Sequence, residues 1–481
     1  MEPIALGWGA DQGPAEVRRT HLSEVFLGRT RVWKTKRAVD LGFVDFTDPA
    51  SRLAACEAEV RLNRRLAPAV YHGVVHLPNG EPAVEMTRLR DEDSLLARLE
   101  RGALDVATLE RVAERVARFH QQAETSDAIA ALGGPDVFRQ NALDNFDAST
   151  GAVGRWVHPV PFTSARAATA ARFERHRELL QARASAGRVR DTHGDLRLEH
   201  VYVVDGEVVV IDCIEFSDRF RYADVALDAA FLVMDLEVRS ERALAAAFWR
   251  SWVEATGDRD AEPLLPLFVS YRSAVRAKVA GFTLADPLPP ERFAVQSARA
   301  KRHWLLAWSR LLPSPPVLVG IGGRPGTGKS TLARALAVRR PFVVIRSDAV
   351  RRELPPLPDA DRYGAAAKGA VYDECFRRAS EALFAGNSVI VDASFVQGEW
   401  RGRLRALGRD WGVPVVLLRC TAEDAVVRAR IRARTGDLSE ADESVYDQIL
   451  WEDSGDTVVD VDLTGPVEPA TDRALAAIDA T

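Results

Sequence analysis

A glycine-rich segment in the last third of the chain carries the clearest chemical signal. Gly323-Arg-Pro-Gly-Thr-Gly-Lys329-Ser330 has the spacing G-x-x-x-x-G-K-S, between an apolar run and a helix-like run. Glycines at these positions let backbone N–H groups surround phosphate oxygens, and the helix N-terminus adds a favourable dipole. Lys329 would contact the β- and γ-phosphates, and Ser330 would hold Mg²⁺. The predicted nucleotide-binding residues are Gly323, Gly326, Thr327, Gly328, Lys329, Ser330 and Thr331.

A second set of residues suited to phosphate chemistry lies well before this loop, in Thr192-His-Gly-Asp195 and Ile211-Asp212. Phosphoryl transfer to a hydroxyl requires one carboxylate that accepts or orients the acceptor proton and another that holds Mg²⁺ on the nucleotide. We predict the first role for Asp195 and the second for Asp212. A short hairpin over 201–212, marked by the turn residues Asp205-Gly206, separates them and would bring both to one cleft.

Residues near the N-terminus could orient the phosphates of a nucleotide. Lys34 lies on a strand-like segment and Glu59 on the helix-like segment that follows, the order of the lysine–glutamate pair in protein kinases. Lys36 and Glu57 are the alternatives, because neither the strand alternation nor the helix face decides between them. The predicted residues beneath the adenine ring are Glu85 and Thr87.

Further candidates follow the glycine-rich loop. Asp348 comes at the end of a strand-like run, and open α/β sheets bind ligands at the carboxyl ends of their strands. It could accept a hydroxyl proton, with Arg351 or Arg352 holding an anionic group. Asp392 ends another apolar run and suits the Mg²⁺ site. Two arginines four residues apart are predicted to form a lid that stabilises charge on the transferred phosphoryl group, Arg430 and Arg434.

The segment 190–237 contains His-Gly-Asp and Val-Ile-Asp-Cys-Ile-Glu-Phe-Ser-Asp, and it resembles the aminoglycoside phosphotransferase family. The whole arrangement is similar to a bacterial two-domain type that joins such a domain to a C-terminal P-loop (AAA-type) ATPase or kinase. The C-terminal pattern is similar to P-loop kinases of the polynucleotide kinase, gluconate kinase and zeta-toxin type. The resemblance implies ATP and Mg²⁺ as cofactors and a small-molecule hydroxyl acceptor bound beside Asp195 in an acidic pocket.

One position departs from the family's pattern. The family's catalytic loop normally ends in asparagine five residues after the catalytic aspartate, and this chain has His200 there. Mg²⁺ prefers oxygen ligands, so imidazole is a poor substitute. We therefore expect a single Mg²⁺, tolerance of Mn²⁺, or slow turnover. The candidate metal residues are Asp212, His200, Ser330 and Asp392.

Three carboxylates after Asp212 are candidates for the acceptor pocket: Glu215, Asp224 and Asp228. Such a pocket would suit a cationic sugar. The alternative is that these carboxylates cap helices or pair with nearby arginines such as Arg219 and Arg221. We expect this structural role for Asp224.

The elements that must position these residues fall into two groups. Short alternating segments and then mainly helical ones precede Leu311-Leu-Pro-Ser-Pro-Pro316, which predicts a linker. After it, strand-like and helix-like runs alternate, which indicates a parallel sheet. The predicted fold is an α+β protein-kinase-like bilobal domain over 1–311, followed by an α/β P-loop NTPase domain with a parallel sheet over 317–481.

Composition limits the function classes. The chain has 481 residues and a net charge of −5, which argues against nucleic-acid and membrane-surface partners. Its four cysteines form no C-x-x-C pair, as expected in a reducing cytosol. We find no signal sequence and no apolar run long enough to cross a bilayer. We therefore expect a cytoplasmic location; the sequence does not predict an oligomeric state.

The leading hypothesis is a bifunctional ATP-dependent kinase. Its N-terminal domain would phosphorylate a hydroxyl of an amino-sugar-like or other small polar molecule, and its C-terminal domain would hydrolyse ATP or transfer from it. One alternative is a degenerate kinase domain that senses a ligand and regulates the C-terminal domain. Another is phosphorylation of polynucleotide ends by the C-terminal domain, which a local basic cleft would favour.

Overall fold

The computed structural model describes residues 16–40, 42, 44–355, 364–433 and 443–480. They form two compact units. The N-terminal unit comprises the described residues of Met1–Asp144, Ala170–Glu237 and Glu241–Arg272. The C-terminal unit comprises those of Asn145–Thr169, Val238–Ser240 and Ser273–Thr481. It therefore includes helical segments that precede the predicted linker.

The N-terminal unit begins with an antiparallel sheet of five strands in the order β1-β2-β3-β5-β4. The strands are β1 (Glu16–Arg19), β2 (Ser23–Leu27), β3 (Arg31–Lys36), β4 (Tyr71–His76) and β5 (Pro82–Thr87). Helix α1 (Pro49–Asn63) lies between β3 and β4 in the chain, and Asp48 caps it by accepting from the N–H of Ser51. Cys56 and Val60 of α1 share a core with Val32 of β3. This packing holds α1 beside β3, so that Glu59 can meet Lys34.

Helices predominate from 95 to 309. The helices are α2 (Leu95–Glu100), α3 (Val106–Gln122), α4 (Asp127–Gly133), α5 (Pro135–Asp147), α6 (Pro159–Arg175), α7 (Arg177–Ser185), α8 (Asp218–Arg221), α9 (Val225–Glu237), α10 (Arg242–Thr256), α11 (Leu265–Ala285) and α12 (Pro290–Ser309). Strands β6 (Val189–Asp191) and β9 (Tyr222–Asp224) pair antiparallel. Every residue of α9 is buried, which makes it the central helix of the N-terminal unit.

The predicted hairpin before Asp212 is confirmed. It consists of β7 (Val201–Val204) and β8 (Glu207–Val210), with Val204 opposite Glu207. Asp205 and Gly206 occupy its turn with φ of 49° and 86°. Both values lie in the left-handed region that a tight two-residue hairpin turn requires, and Gly and Asp are tolerated there.

A buried guanidinium joins distant segments of the N-terminal unit. Arg183 donates to both carboxylate oxygens of Asp224, at 2.7 and 2.8 Å, and its Nη1 lies 2.6 Å from an oxygen of Asp258. All three residues are buried. Asp224 therefore has the structural role expected for it, although its partner is Arg183 and not Arg219 or Arg221.

We expect Arg183→Met to lower the free energy of unfolding by about 3–5 kcal/mol, because it leaves two buried carboxylates without their cation. Urea unfolding followed by circular dichroism measures this change. Arg177→Met is the matched control: Arg177 pairs with Glu174 on the surface, where an ion pair contributes about 0–1 kcal/mol. Equal losses in the two variants would contradict the structural role of Arg183.

The C-terminal unit contains a parallel sheet of five strands in the order β11-β12-β10-β13-β14, which confirms the predicted parallel sheet. The strands are β10 (Leu318–Gly322), β11 (Phe342–Arg346), β12 (Ser388–Asp392), β13 (Val415–Thr421) and β14 (Val459–Asp462). The helices are α13 (Lys329–Arg339), α14 (Ser347–Glu353), α15 (Ala365–Phe384), α16 (Gly398–Trp411), α17 (Asp424–Arg432), α18 (Glu443–Gln448) and α19 (Val467–Asp479). All five residues of β10 are buried, as expected for a central strand covered on both faces.

Both faces of this parallel sheet are covered by apolar cores. On one face, Trp304 and Trp308 of α12 share a core with residues of α15 and α16. Gly386 meets this core closely, because a Cβ there would lie 2.5 Å from the indole of Trp308. Among the described residues, no helix is both long and apolar enough to cross a membrane.

Candidate active sites

The lysine–glutamate pair predicted near the N-terminus is brought together. Lys34 Nζ lies 2.9 Å from Glu59 Oε1 and 2.5 Å from Asp212 Oδ1. Lys36, two residues on and on the same face of β3, contacts the other Glu59 oxygen at 2.6 Å. Glu59 is completely buried, whereas Glu57 is exposed. The two lysines therefore share one glutamate, and Lys34 alone of the two also contacts Asp212.

Charge pairing favours the charged forms of Asp212 and Lys34. Burial by itself would raise the pKa of Asp212, but the charges of Lys34 and His200 outweigh it and hold the pKa well below its usual range. Burial likewise opposes the charged form of Lys34, yet Asp212 and Glu59 raise its pKa well above the ordinary value. Asp212 also has φ of 65°, a left-handed conformation that is uncommon outside glycine and found at functional sites.

The loop that carries Asp195 also carries His200, which lies close to Asp212. Arg197 donates from Nε and Nη2 to the two Asp195 oxygens, both at 2.8 Å. His200 Nδ1 lies 2.9 Å from the Asp195 carbonyl oxygen, and its Nε2 lies 3.4 Å from Asp212 Oδ2. His200 thus stands between the two aspartates, on the 3-10 turn Leu198–His200.

The backbone of this loop is held by a carboxylate that we had considered for the acceptor pocket. Asp228 accepts hydrogen bonds from the N–H groups of His193 and Gly194, at 3.1 and 2.8 Å. It also contacts His120 Nε2 at 3.1 Å. Gly194 has φ of 84°, where a side chain would be strained and would meet Ile214 at 3.0 Å. Asp228 and Gly194 therefore set the path of the backbone into Asp195. The third pocket candidate, Glu215, pairs with Lys36.

His193, in the same loop, makes the free energy of unfolding depend on pH. Its Nε2 lies 3.0 Å from the Ile211 carbonyl oxygen, and its Nδ1 accepts from the Asp195 N–H at 3.3 Å, so the neutral ring satisfies both contacts. Burial lowers the pKa of His193 to about 4. Below its ordinary pKa of about 6.5 the unfolded chain takes up a proton that the folded chain excludes, so stability falls as the pH falls from about 6.5 to about 4.

We expect this histidine to lower the free energy of unfolding by about 2 kcal/mol between about pH 7.5 and about pH 5. Urea titrations at the two pH values measure the change. His193→Gln keeps a donor toward Ile211 but does not titrate, so its loss over the same range should be smaller by that amount. If the wild type and His193→Gln lose the same free energy of unfolding over this pH range, His193 is not the group responsible.

The predicted adenine-binding residues lie at the end of β5. Glu85 is half-buried, opposite Trp33 of β3. Thr87 Oγ1 lies 2.8 Å from His72 Nε2, and the Thr87 N–H donates to the carbonyl of Val70. Their contact with a nucleotide remains a prediction.

In the C-terminal unit the glycine-rich loop follows β10. Gly323, Gly326 and Gly328 have φ of 140°, 78° and 96°. Glycine is required at the first of these, because a Cβ on Gly323 would lie 2.5 Å from the Cys420 carbonyl oxygen. Thr327 Oγ1 and Lys329 Nζ both donate to the Arg324 carbonyl, at 2.8 and 3.0 Å. The loop thus has the conformation that its spacing predicts, with α13 beginning at Lys329 and Thr331 in its first turn.

Two oxygen groups meet beside this loop. Ser330 Oγ donates to Asp392 Oδ2 at 2.6 Å, because Asp392 ends β12 opposite Ile321 of β10. Burial raises the pKa of Asp392, although Lys329 and Ser330 partly oppose the shift. A hydroxyl and a carboxylate this close are the oxygen donors that Mg²⁺ prefers, so these two residues fit the ion.

The remaining predicted residues of this unit are placed as follows. Asp348 lies in the first turn of α14, near enough to Asp392 to raise its pKa, and Arg351 and Arg352 lie in the last turn. Arg430, in α17, donates from Nη2 to the Leu463 carbonyl at 2.7 Å. Arg434 lies outside the described residues.

Two family models match parts of the chain. The model of the phosphotransferase enzyme family matches residues 31–264, and the model of an AAA domain matches residues 318–451. Over 96% of its length the chain is 34% identical to "Uncharacterized protein Rv2004c" of Mycobacterium tuberculosis and to "Uncharacterized protein Mb2027c" of Mycobacterium bovis, covering 95% of each. The chain belongs to the two-domain family that joins a phosphotransferase domain to a P-loop kinase domain.

Two solved kinase structures are each similar to about a third of the chain. They are a sugar kinase from Janibacter sp. (23% identity, 34% of this chain and 95% of that chain, TM-score 0.27) and a gluconokinase from Sinorhizobium meliloti (23%, 34% and 93%, TM-score 0.26). The APS kinase CysC of Mycobacterium tuberculosis, in complex with AMPPNP and APS, is also similar (16%, 35% and 99%, TM-score 0.28).

The two family matches give the enzyme class. The protein is a phosphotransferase, a kinase that belongs to ATP-using families. The predicted kinase-like and P-loop folds are both confirmed. Sequence reasoning did not single out Arg197, although its position two residues after Asp195 in the same loop was a usable signal. It had no means of finding Arg183 as the partner of Asp224, because 41 residues separate them.

Proposed function

We propose that the N-terminal unit transfers the γ-phosphoryl group of ATP to a hydroxyl of a small polar molecule. The observation that carries the proposal is the contact of Lys34 with both Glu59 and Asp212. A cation held between a buried glutamate and a metal-binding carboxylate is the arrangement that positions nucleotide phosphates in kinases. Lys34 would move from Asp212 toward the phosphates when the nucleotide binds.

Asp195 would orient the acceptor hydroxyl and accept its proton, while Arg197 holds the carboxylate by both oxygens. Asp212 would hold Mg²⁺, and its lowered pKa keeps it in the charged form that a metal requires. When bound, the ion neutralises charge on the phosphate oxygens. Lys36, which pairs with both Glu59 and Glu215, would support the site by holding Glu59 in place.

His200 makes the metal preference of this site testable. It lies 3.4 Å from Asp212 with an imidazole nitrogen where an amide oxygen is expected, and imidazole suits Mn²⁺ better than Mg²⁺. We expect His200→Asn to raise kcat with Mg²⁺ by about tenfold relative to kcat with Mn²⁺. Steady-state rates of both proteins with each ion measure the ratio; an unchanged ratio would show that His200 does not set the preference.

We propose that the C-terminal unit is a second ATP-dependent phosphotransferase or an ATPase. Lys329 and the loop N–H groups would hold the phosphates, and Ser330 and Asp392 would hold Mg²⁺. Asp348 would orient the acceptor, and Arg351 would bind an anionic group on it. We also propose a cytoplasmic location, which the four buried cysteines without disulfide partners support.

ADP release from the full chain tests the proposal. It is measured with ATP and Mg²⁺ in the presence of amino sugars, sugar acids and nucleotides, with an acceptor-free reaction as the control. Release that depends on an added hydroxyl compound supports phosphoryl transfer. Nucleotide binding without acceptor-dependent ADP release would favour the alternative that this domain senses a ligand. The observation that favours this alternative is that Arg197 donates to both oxygens of Asp195, the predicted catalytic carboxylate.

A further inference from the structure

A guanidinium lies against the two oxygen groups of the C-terminal unit that fit Mg²⁺. Arg346 Nη2 donates to Ser330 Oγ at 3.1 Å, and Arg346 Nε lies 3.5 Å from Asp392 Oδ2. The same serine hydroxyl donates to the same Asp392 oxygen at 2.6 Å. One cationic side chain therefore contacts both of the side chains that are predicted to hold the metal ion.

The parallel sheet explains the position of this arginine. Arg346 is the last residue of β11, and it lies opposite Asp392, the last residue of β12, in the register of the two strands. Both residues are thus at the carboxyl edge of the sheet, where open α/β sheets bind their ligands. The Arg346 side chain is 23% exposed, so a ligand at this edge can reach it.

Arg346 also lies close to the groups expected at the two ends of the reaction. Burial raises the pKa of Asp392, and the nearby charges of Lys329 and Arg346 oppose that shift. Asp348 is near enough to raise the same pKa further. In phosphoryl transfer the γ-phosphate lies between the phosphate-binding lysine and the acceptor. Arg346 is therefore next to the place where a γ-phosphate is expected.

The guanidinium and Mg²⁺ would compete for the same oxygens. Mg²⁺ requires oxygen lone pairs in a near-octahedral arrangement, and Ser330 and Asp392 cannot give the same lone pairs both to the ion and to N–H donors. A guanidinium that leaves a carboxylate in a partly buried site needs another acceptor, because an unpaired charge there is costly. Phosphate is well suited to this, since a guanidinium can donate to two of its oxygens at once.

We propose that Arg346 recognises the γ-phosphate in the C-terminal site: it gives up Ser330 and Asp392 to Mg²⁺ and then donates to a γ-phosphate oxygen of the bound nucleotide. The site would thereby distinguish a nucleoside triphosphate from a diphosphate, because a diphosphate leaves the guanidinium in competition with the ion. The inference rests on the nucleotide site proposed above for this unit, and it adds the residue that sets the preference.

Isothermal titration of the full chain with ADP and with AMPPNP, an ATP analogue, measures this preference in the presence of Mg²⁺. The Lys329→Met chain reports the N-terminal site alone, so the difference from the wild type gives the C-terminal site. We expect Arg346→Met to weaken AMPPNP binding at the C-terminal site by about tenfold or more, as for the loss of a charge-assisted hydrogen bond. ADP binding should not weaken. With ADP, half-maximal binding in this variant should require less Mg²⁺, because the competing cation is gone.

Arg334→Met is the matched control. Arg334 is exposed on α13 and donates from Nε to the Ser330 carbonyl at 3.1 Å. Its replacement removes the same charge beside the same serine without touching the hydroxyl, so both affinities should stay unchanged. Arg346→Lys keeps the charge and should retain part of the AMPPNP preference, which keeps the test decisive if Arg346→Met does not fold.

Three results would overturn the inference and leave the proposed nucleotide site in place. They are equal losses of AMPPNP and ADP binding in Arg346→Met, an unchanged Mg²⁺ requirement in that variant, and the same effects in Arg334→Met. Identical nucleotide binding by the wild type and Lys329→Met would instead show that the glycine-rich loop holds no nucleotide. That result would overturn both the inference and the function proposed for the C-terminal unit.

Discussion

Asp195→Asn is expected to lower kcat for phosphoryl transfer by the N-terminal unit by about 10²- to 10⁴-fold, the usual contribution of a general base. Asparagine has nearly the same shape, so it preserves packing in the loop, but it cannot take up the acceptor proton. It also loses the charged pair with Arg197, whose two nitrogens each lie 2.8 Å from a carboxylate oxygen. Acceptor-dependent ADP release in a Lys329→Met background isolates this unit.

The control for this prediction is Asp136→Asn, which removes an exposed carboxylate from the same unit. It should leave kcat within a factor of about two, because it touches neither the loop nor the lysine–glutamate pair. The KM for ATP should change little in Asp195→Asn, since Lys34 and Asp212 are predicted to hold the nucleotide. A loss confined to the KM for ATP would show that Asp195 binds nucleotide instead of acting on the acceptor.

The second large effect is expected at Lys329. Lys329→Met should lower ATP turnover by the C-terminal unit by about 10²- to 10³-fold, because it removes the cation that stabilises charge on the β- and γ-phosphates. Its Nζ lies 3.0 Å from the Arg324 carbonyl, inside the loop, so a short movement would bring it to a bound phosphate. ADP release without acceptor, in an Asp195→Asn background, measures this unit alone.

Lys301→Met is the control for Lys329. Lys301 belongs to the same unit and lies over the ring of Phe384, away from the loop. It should leave turnover unchanged. Unaltered ADP release in Lys329→Met would contradict the assignment of the glycine-rich loop as the phosphate site.

Local signals in the sequence predicted the parts of this protein that depend on short stretches of chain. Asp205-Gly206 predicted the hairpin because only a few residue types accept the left-handed turn. The loop before Lys329 was predictable because its whole G-x-x-x-x-G-K-S spacing lies between one strand and one helix, β10 and α13. The parallel sheet followed from the alternation of elements after residue 316.

Features that depend on distant segments could not be predicted in the same way. The strand alternation placed Lys34 and Lys36 on one face, and only the packing of α1 shows that both contact Glu59. Asp228 follows the loop by more than 30 residues, and its position under the His193 and Gly194 amides depends on the buried helix α9. The partner that neutralises Asp224 is likewise set by tertiary packing.

The most direct test of the central claim is mass spectrometry of the acceptor after incubation of the Lys329→Met chain with ATP, Mg²⁺ and a panel of sugar acids and amino sugars. The account predicts that an acceptor gains a single phosphoryl group, and that Asp195→Asn in the same background abolishes the product. Product formation that persists in Asp195→Asn, or that disappears already in Lys329→Met, would contradict phosphoryl transfer by the N-terminal unit.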